Sequence, residues 1–343
     1  LSVSADIYTR KTVDMLTLGK TLPDVFGASE PKENAADLKT NGFEISLDWK
    51  EKFMLGGKIF RYSFGGVLAD YTSKITKFDN PSQLLSSYYV GQQLGEIWGY
   101  SYDGYFKTNE EAQAYAAIVN QDPINRRRVQ APTADLKKLQ AGDIKILDLD
   151  GNGIISTGAN TLTDPGDRRI IGNTQPRYTY GFNFTGAWNN FDVAAFFQGV
   201  GKRNWYPHLE SQQFWHVYAR PYGSFIPEGF ADKMWSPENP DAYFPLPRGY
   251  AAQNSELSVA NDMYIQDVAY LRLKNLTLGY SLPASVLSKI KVRNLRIYIS
   301  AENVYTWSKM DTDYLDPEEV LTDPTGRTYP MAKTYSAGIQ LTL

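Results

Sequence analysis

The feature that most constrains this chain is a repeated alternation of apolar and polar residues within short segments. In the last segment, the apolar face consists of Tyr335, Ala337, Ile339, Leu341 and Leu343. Successive side chains of a β-strand point to opposite faces, so a period of two predicts a strand with one apolar face. The same period recurs in segments that begin near residues 1, 43, 59, 178, 191, 271 and 295. The sequence therefore predicts an all-β chain with eight strands.

Two local features refine the strand prediction. Asn189 and Asn190 separate two alternating segments, which predicts a tight hairpin turn between them. Within the segment at 271–282, the apolar residues change from odd to even positions around Lys274 and Asn275. A phase change of one residue in a single strand indicates a β-bulge at this point.

The connections between the predicted strands alternate between long and short. The long ones span about 18–37, 70–176, 203–261 and 309–331, and the short ones lie at 50–54, 188–191 and 283–291. An antiparallel transmembrane β-barrel has short turns on one side of the membrane and long loops on the other. We therefore predict that 70–176 and 203–261 are long extracellular loops. A β-sandwich also has one apolar face per strand, and it is the alternative fold.

Composition and charge exclude several classes of function. The chain has no Cys, so it has no disulfide, no thiolate metal site and no Cys nucleophile. Its net charge of -3 provides no basic face for nucleic acid. No apolar run approaches the roughly 20 residues that a transmembrane helix needs. We find no nucleotide-binding loop and no acid–base arrangement, and we predict that the chain is not an enzyme.

Six longer runs of sequence carry a family resemblance. They are GDIKILDLDGNGIIS at 142–156, GDRRIIGNTQPRYTYGFNFT at 166–185, FDVAAFFQGVG at 191–201, YLRLKNLTLGYSLP at 270–283, NLRIYISAENVYTW at 294–307 and TYPMAKTYSAGIQLTL at the end. In this order they resemble the SusC/RagA family of TonB-dependent outer-membrane transporters of Bacteroidetes. The resemblance implies the C-terminal third of such a transporter, about the last eight strands of a barrel of 22 strands. The plug domain and the TonB-binding segment would not be in this chain.

The resemblance also implies a function, a location and partners. The transporter would import a glycan or oligosaccharide, or in some members an oligopeptide, across the outer membrane of a Gram-negative bacterium. Its partners would be a SusD-like surface lipoprotein that covers the barrel, and the TonB–ExbB–ExbD complex, which binds the missing N-terminal part. The remaining barrel and plug, and membrane lipid, would complete its surroundings. A non-transporting β-sandwich that binds glycan at the cell surface is the alternative from another class.

An acidic segment at 142–172 is the candidate metal site. It matches the first half of an EF-hand-like calcium loop, whose oxygen ligands alternate along the chain and whose sixth residue is Gly. The matching residues are Asp148, Asp150 and Asn152 as side-chain ligands, Gly153 at the turn and Ile154 as a carbonyl ligand. The alternative is an Asp-Gly and Asn-Gly turn that holds no metal.

The carboxylate that closes this loop does not stand where an EF-hand places it. Position 12 is Ala159, which offers no carboxylate. The family form continues from the loop into an Asp-Arg pair, so the resemblance implies Asp167 as the closing ligand. Asp164 and Asp143 are the alternative carboxylates. We predict that a structural Ca²⁺ binds here and orders the loop.

Four tryptophans lie in the predicted extracellular loops, namely Trp98, Trp205, Trp215 and Trp235. Tryptophans near the strands are explained by the aromatic belt at the membrane interface, but a loop tryptophan is not. We predict that these four residues together contact the ligand or the lipoprotein lid. For each residue singly, packing of the loops against one another is the favoured alternative.

Overall fold

The computed structural model describes residues 1–18, 27, 31–118, 139–254, 256–290, 292–323, 329 and 331–342. In chain order, the strands are β1 (Ser2–Leu18), β2 (Lys32–Leu55), β3 (Lys58–Lys77), β4 (Glu96–Tyr100), β5 (Tyr102–Tyr105), β6 (Ile144–Ile146), β7 (Arg168–Asn173), β8 (Arg177–Trp188), β9 (Phe191–Lys202), β10 (Asn204–Trp205), β11 (Gln266–Asp267), β12 (Tyr270–Ser281), β13 (Asn294–Ser308) and β14 (Thr334–Thr342). Within the described residues, the α-helices are α1 (Asn109–Ile118), α2 (Gln212–Trp215), α3 (Ala251–Asn254) and α4 (Ala284–Ile290). None of the described helices is long and apolar enough to cross a membrane.

The principal element is one antiparallel sheet of eight strands, in the order β1-β2-β3-β8-β9-β12-β13-β14. These are the eight strands that the period of two predicts. Strands that follow each other in this set are also neighbours in space, so the connections between them cross no other strand of the sheet. The prediction of an antiparallel barrel wall with long loops on one side is confirmed.

A β-sandwich would require two sheets packed face to face. The eight long strands instead form a single sheet, and the shorter strands of the described residues pair only in twos. The sandwich alternative is therefore wrong. The sheet is not closed, because β1 and β14 each pair on one side only.

The structure confirms the predicted bulge and hairpin. The register of β12 shifts between Leu273 and Asn275 against both of its neighbours, β9 and β13. Asn189 adopts a left-handed φ of 57° in the turn between β8 and β9. Asn tolerates this conformation better than most residues, because its short polar side chain hydrogen-bonds locally.

Several predicted loop boundaries are wrong because the first three strands are longer than the apolar alternation indicates. β2 begins at Lys32 and β3 continues to Lys77, inside the predicted loops at 18–37 and 70–176. The turn predicted at 50–54 lies instead at Gly56 and Gly57, which both have positive φ. The added strand segments lack a regular alternation of apolar and polar residues, so backbone pairing alone reveals them. Parts of the predicted loops, and Leu343, lie outside the described residues.

The two faces of the sheet differ in character. Directly paired residues of antiparallel strands lie on the same face. We call the face that carries Phe43, Ile45, Leu47 and Trp49 of β2 the outer face. Its rows continue as apolar residues on the neighbouring strands, for example from Ile45 to its partner on β3. Large apolar side chains stay exposed on it, as expected for a surface that contacts lipid.

Beyond one end of the sheet, the long connections form a separate hydrophobic core, which we call the loop core. Its fully buried members include Trp215, Tyr218, Leu257, Tyr264 and Val268. Many of its members are aromatic, and the rings of Phe244 and Tyr264 are stacked at an interplanar angle of 11°. Burial of such rings supplies the stability that isolated long loops lack.

We predict that this chain, expressed alone, forms no closed barrel. Its two open strand edges expose unpaired backbone groups, each of which costs several kcal/mol in lipid. Electrophoresis of unheated and heated samples should show no heat-modifiable band, and size-exclusion chromatography in detergent should show aggregates. A monodisperse, heat-modifiable species would mean that the two edges pair with each other.

Candidate functional site

The segment 148–154 forms a compact loop around its own side chains. The two carboxylate oxygens of Asp148 accept hydrogen bonds from the backbone N–H groups of Gly151 and Gly153, both at 2.7 Å. The Asn152 side-chain oxygen accepts one from the Ile154 N–H at 2.7 Å. Gly151 and Gly153 have φ of 72° and 79°, a region that glycine enters without steric cost. The loop therefore points several oxygens toward one small region.

Asp167 reaches this region from the start of β7. Its side chain is fully buried, and its two oxygens accept hydrogen bonds from the N–H groups of Leu149 and Ser156, both at 2.7 Å. One carboxylate oxygen each of Asp148, Asp150 and Asp167 lies within 4.8 Å of the other two. The structure thus brings together three of the predicted metal ligands across 19 residues of sequence.

The electrostatics of the three carboxylates differ. Desolvation raises the pKa of Asp167, and the nearby Asp150 and Asp148 carboxylates add to this effect. Desolvation also acts to raise the pKa of Asp148, but the N–H donors of the glycine turn outweigh it, and the pKa is lowered. Three carboxylates that face one another repel, and a bound cation would relieve that repulsion.

Two alternative ligands lie elsewhere. Asp143 is fully buried in an ion pair with Arg248, in which two N–O distances are 2.9 Å. Asp164 accepts hydrogen bonds from the N–H groups of Ala159 and Gly166 at 2.9 and 3.4 Å, within its own turn. Neither carboxylate is in the three-residue cluster. The cluster therefore consists of Asp148, Asp150 and Asp167.

The predicted loop tryptophans are mostly buried. Trp215 is fully buried, and Trp205 and Trp235 are 3% and 7% exposed. The Trp215 indole N–H donates to the His208 carbonyl at 3.1 Å, inside the loop core. Trp98 is half-buried on β4. For the three buried residues the structure favours packing of the loops, and their contact with a ligand or lid stays a prediction.

An exposed aromatic surface on the loops escaped the sequence analysis. Tyr222 is 78% exposed, Ile226 60%, Tyr314 49% and Phe225 46%. The Phe225 and Tyr314 rings meet at 5.0 Å although they belong to two different loops. No periodicity marks these residues, because they lie outside the strands. We call Tyr222, Phe225, Ile226 and Tyr314 the aromatic patch.

A second feature that escaped the sequence analysis is an ionic network between β12 and the last loop. Arg272 is 1% exposed, and it pairs with Asp316 and, at 3.0 Å, with Glu318. Lys274 contacts the same Glu318 carboxylate at 2.8 Å. These partners are more than 40 residues apart in the chain, so only the folded structure brings them together. The network holds the loop against the end of the sheet.

Comparison with known proteins gives a consistent picture. No protein-family model matches the chain. TonB-dependent receptor P3 of Formosa agariphila is 28% identical over 372 residues, an alignment that covers 99% of this chain and 32% of the receptor. TonB-dependent receptor P26 of the same organism is 26% identical, over 98% of this chain and 32% of the receptor. The chain is a homologue of TonB-dependent receptors. It spans about a third of the length of these curated relatives.

Solved structures agree with this relationship. The RagAB peptide transporter matches with a TM-score of 0.63 and 20% identity, over 99% of this chain and 33% of that chain. The RagAB peptide importer in its closed-closed state matches with a TM-score of 0.65 and 19% identity. The likeness establishes that the fold is that of part of a TonB-dependent receptor barrel. The resemblance predicted from sequence is confirmed.

We predict that Arg248→Met destabilises the loop core. The substitution leaves the Asp143 carboxylate buried without its cation, and breaking a buried pair in this way costs about 3–5 kcal/mol. Hydrogen exchange of the loop segments in the full-length protein should accelerate strongly. Arg220→Met is the matched control, because Arg220 pairs with Glu210 near the surface. Equal, small effects of both substitutions would contradict the prediction.

Proposed function

We propose that this chain supplies part of the barrel wall and of the extracellular loops of a TonB-dependent importer in the outer membrane of a Gram-negative bacterium. The observation that carries the proposal is the combination of one ordered eight-stranded sheet with similarity to TonB-dependent receptors over almost the whole chain. The outer face supports it, because exposed apolar side chains suit contact with lipid. The relatives are named as receptors and transporters, which agrees with a chain that is not an enzyme.

We propose a glycan or oligosaccharide as the substrate, with an oligopeptide as the second candidate. The RagAB neighbours are described as a peptide transporter and a peptide importer, and this description supports the oligopeptide as the second candidate substrate. The proposed partners are a SusD-like lipoprotein above the loops, the plug and remaining barrel, and TonB–ExbB–ExbD bound to the remaining part. Aromatic rings can stack on sugar rings or cover apolar side chains of a partner. The aromatic patch is therefore the proposed contact surface.

The proposed function is tested with the full-length protein in its own bacterium. Deletion of the gene should abolish uptake of either a labelled oligosaccharide or a labelled oligopeptide, and the protein should fractionate with the outer membrane. Loss of TonB should have the same effect on uptake. Normal uptake of both substrate classes in the deletion strain would overturn the proposal.

We further propose that Asp148, Asp150 and Asp167 bind a structural Ca²⁺, with Asn152 and the Ile154 carbonyl completing the site. Carboxylate, amide and carbonyl oxygens are the ligands that Ca²⁺ prefers. The clustering of three carboxylates supports this, although the hydrogen bonds of the loop would also form in a turn without metal. When bound, the cation would tie the 148–154 loop to the start of β7.

We predict that Asp150→Asn lowers the bound calcium from one ion per protein to less than half. The Asn oxygen can still accept the hydrogen bond that Asp150 accepts from the Asn152 N–H, so the turn itself is preserved. Asp148→Ala should have a larger effect and should increase protease cleavage within 142–172. Elemental analysis of the purified full-length protein measures the metal, and Asp164→Asn is the control outside the cluster. Absence of calcium from the wild-type protein would contradict the proposal.

We predict that a substitution in the loop core impairs folding, whereas substitutions in the aromatic patch impair binding. Trp215→Ala removes a fully buried ring, which costs about 3–5 kcal/mol, and should reduce the amount of folded protein. Tyr222→Ala combined with Ile226→Ala should leave folding intact and weaken lid binding or uptake at least tenfold. Affinity capture of the lipoprotein and uptake assays measure this. An unchanged affinity and uptake in the double variant would exclude the aromatic patch as a contact surface.

A further inference from the structure

The register of the first three strands places three lysines side by side. Lys11 of β1 pairs directly with Lys39 of β2, and Lys39 pairs directly with Lys74 of β3. All three side chains are exposed. Direct partners on antiparallel strands have Cβ atoms about 4.5–5.5 Å apart, so the three ammonium groups are close neighbours. We call these residues the lysine row.

The lysine row lies on the outer face. The register runs without interruption from Lys39 to Phe43 and Ile45, so the alternation of side chains puts all three residues on the same side of β2. Ile7, the partner of Phe43 on β1, is 91% exposed on that side. The row is therefore part of the surface that faces lipid, and not of the barrel interior.

The height of the row on that face can be judged along β2. Phe53 and Phe43 both belong to the outer face, and at about 3.4 Å per residue and ~40° tilt they lie roughly 26 Å apart in height, close to the apolar band of a barrel. Lys39 lies four residues before Phe43, roughly 10 Å above that band by the same geometry. This is the level of the lipid headgroups on the side of the long loops.

Like charges directly opposite each other on a sheet are destabilising. Among the described residues, no carboxylate pairs with Lys11, Lys39 or Lys74. The two acidic residues next to the row are engaged elsewhere: Asp14 pairs with Lys77 at 3.7 Å, and Asp37 accepts the Asp14 N–H at 2.9 Å. The row thus concentrates positive charge for which the described part of the chain provides no carboxylate partner.

A groove of about 550 Å³ runs along the outer face directly below the row. Its apolar lining includes Ala5, Ile7, Phe43 and Ile45. Arg177 also lines the groove, and its guanidinium is held at 2.6 Å by both oxygens of Asp70. A largely apolar groove directly below three lysines fits a molecule with an acyl chain and an anionic head.

We propose that the lysine row and the groove bind a lipid with a phosphate-bearing headgroup on the side of the long loops. This inference rests on the proposed outer-membrane location. The three ammonium groups hold the headgroup phosphates, and an acyl chain lies in the groove between Ile7, Phe43 and Ile45. Bound phosphate removes the repulsion within the row, so the lipid stabilises β1–β3 as well as occupying their surface.

The test uses the full-length protein, purified from outer membranes, stripped of lipid in detergent and studied by native mass spectrometry. The probes are a phosphorylated glycolipid, the same glycolipid after removal of its phosphates, and inorganic phosphate. The variant combines Lys11→Gln, Lys39→Gln and Lys74→Gln. A basic residue near an anionic lipid surface contributes roughly fivefold in affinity, so the variant should bind the phosphorylated lipid roughly 100-fold more weakly. The control combines Lys50→Gln, Lys52→Gln and Lys289→Gln and should bind as the wild type does.

Thermal unfolding gives a second measurement that does not depend on lipid recovery. Without lipid, the Lys11, Lys39 and Lys74 variant should be at least as stable as the wild type, because its like charges are gone. The phosphorylated lipid should raise the Tm of the wild type and leave that of the variant unchanged. Equal lipid binding by the variant and the wild type would overturn the proposal, as would equal binding of the dephosphorylated lipid.

The remaining outcomes separate this inference from the proposed function. Inorganic phosphate that binds as tightly as the lipid would identify a free anion as the ligand and overturn the lipid assignment. If the wild type is found in the outer membrane and imports substrate, but lipid binding does not depend on the lysine row, only the lipid proposal fails. If lipid binding depends on the row but no substrate is imported, only the proposed import function fails. A wild type that is absent from the outer membrane overturns both.

Discussion

Backbone pairing in a fixed register is the constraint on which the rest of this structure depends. A shift of one residue would move every side chain of a strand to the opposite face. The pairing of β2 with β3 runs without a shift from Leu38 to Leu55, and it keeps Ile45 and Trp49 of β2 on the same outer face as Leu68 and Phe64 of β3. The same register aligns Lys11, Lys39 and Lys74 in one row. A single physical rule thus sets both the surface that faces lipid and the charge at its upper margin.

The long connections are fixed to the ends of these strands by backbone and ionic contacts. The end of β3 extends past its pairing with β8, and the loop that follows pairs with it through hydrogen bonds such as that from the Leu94 N–H to the Ser73 carbonyl at 2.9 Å. At the other side of the sheet, the buried Arg272 ties the last loop to β12 through Asp316 and Glu318. The long connections are therefore attached to the sheet at two places, at the end of β3 and at β12.

Burial decides which loop residues remain accessible to a partner. The rings of Trp205 and Trp215 lie in the loop core and stabilise it, and Trp235 is buried elsewhere in the loops. The aromatic patch at 222–226 and Tyr314 stays on the surface. Residue type alone does not distinguish these two roles, because large aromatic side chains suit both a core and a contact surface.

The sequence by itself determined the eight strands, their order, the bulge near Lys274 and the turn at Asn189, because side-chain alternation and turn chemistry are local properties. It also placed Asp148, Asp150 and Asp167 in one candidate site, although the last of these came from a family pattern. Only the tertiary structure decided which carboxylates meet: Asp143 is bound to Arg248, which lies 105 residues away, and no local pattern encodes that contact. The true lengths of β2 and β3, the burial of the tryptophans and the alignment of the lysine row likewise depend on pairing between distant segments, which the period of a single strand does not contain.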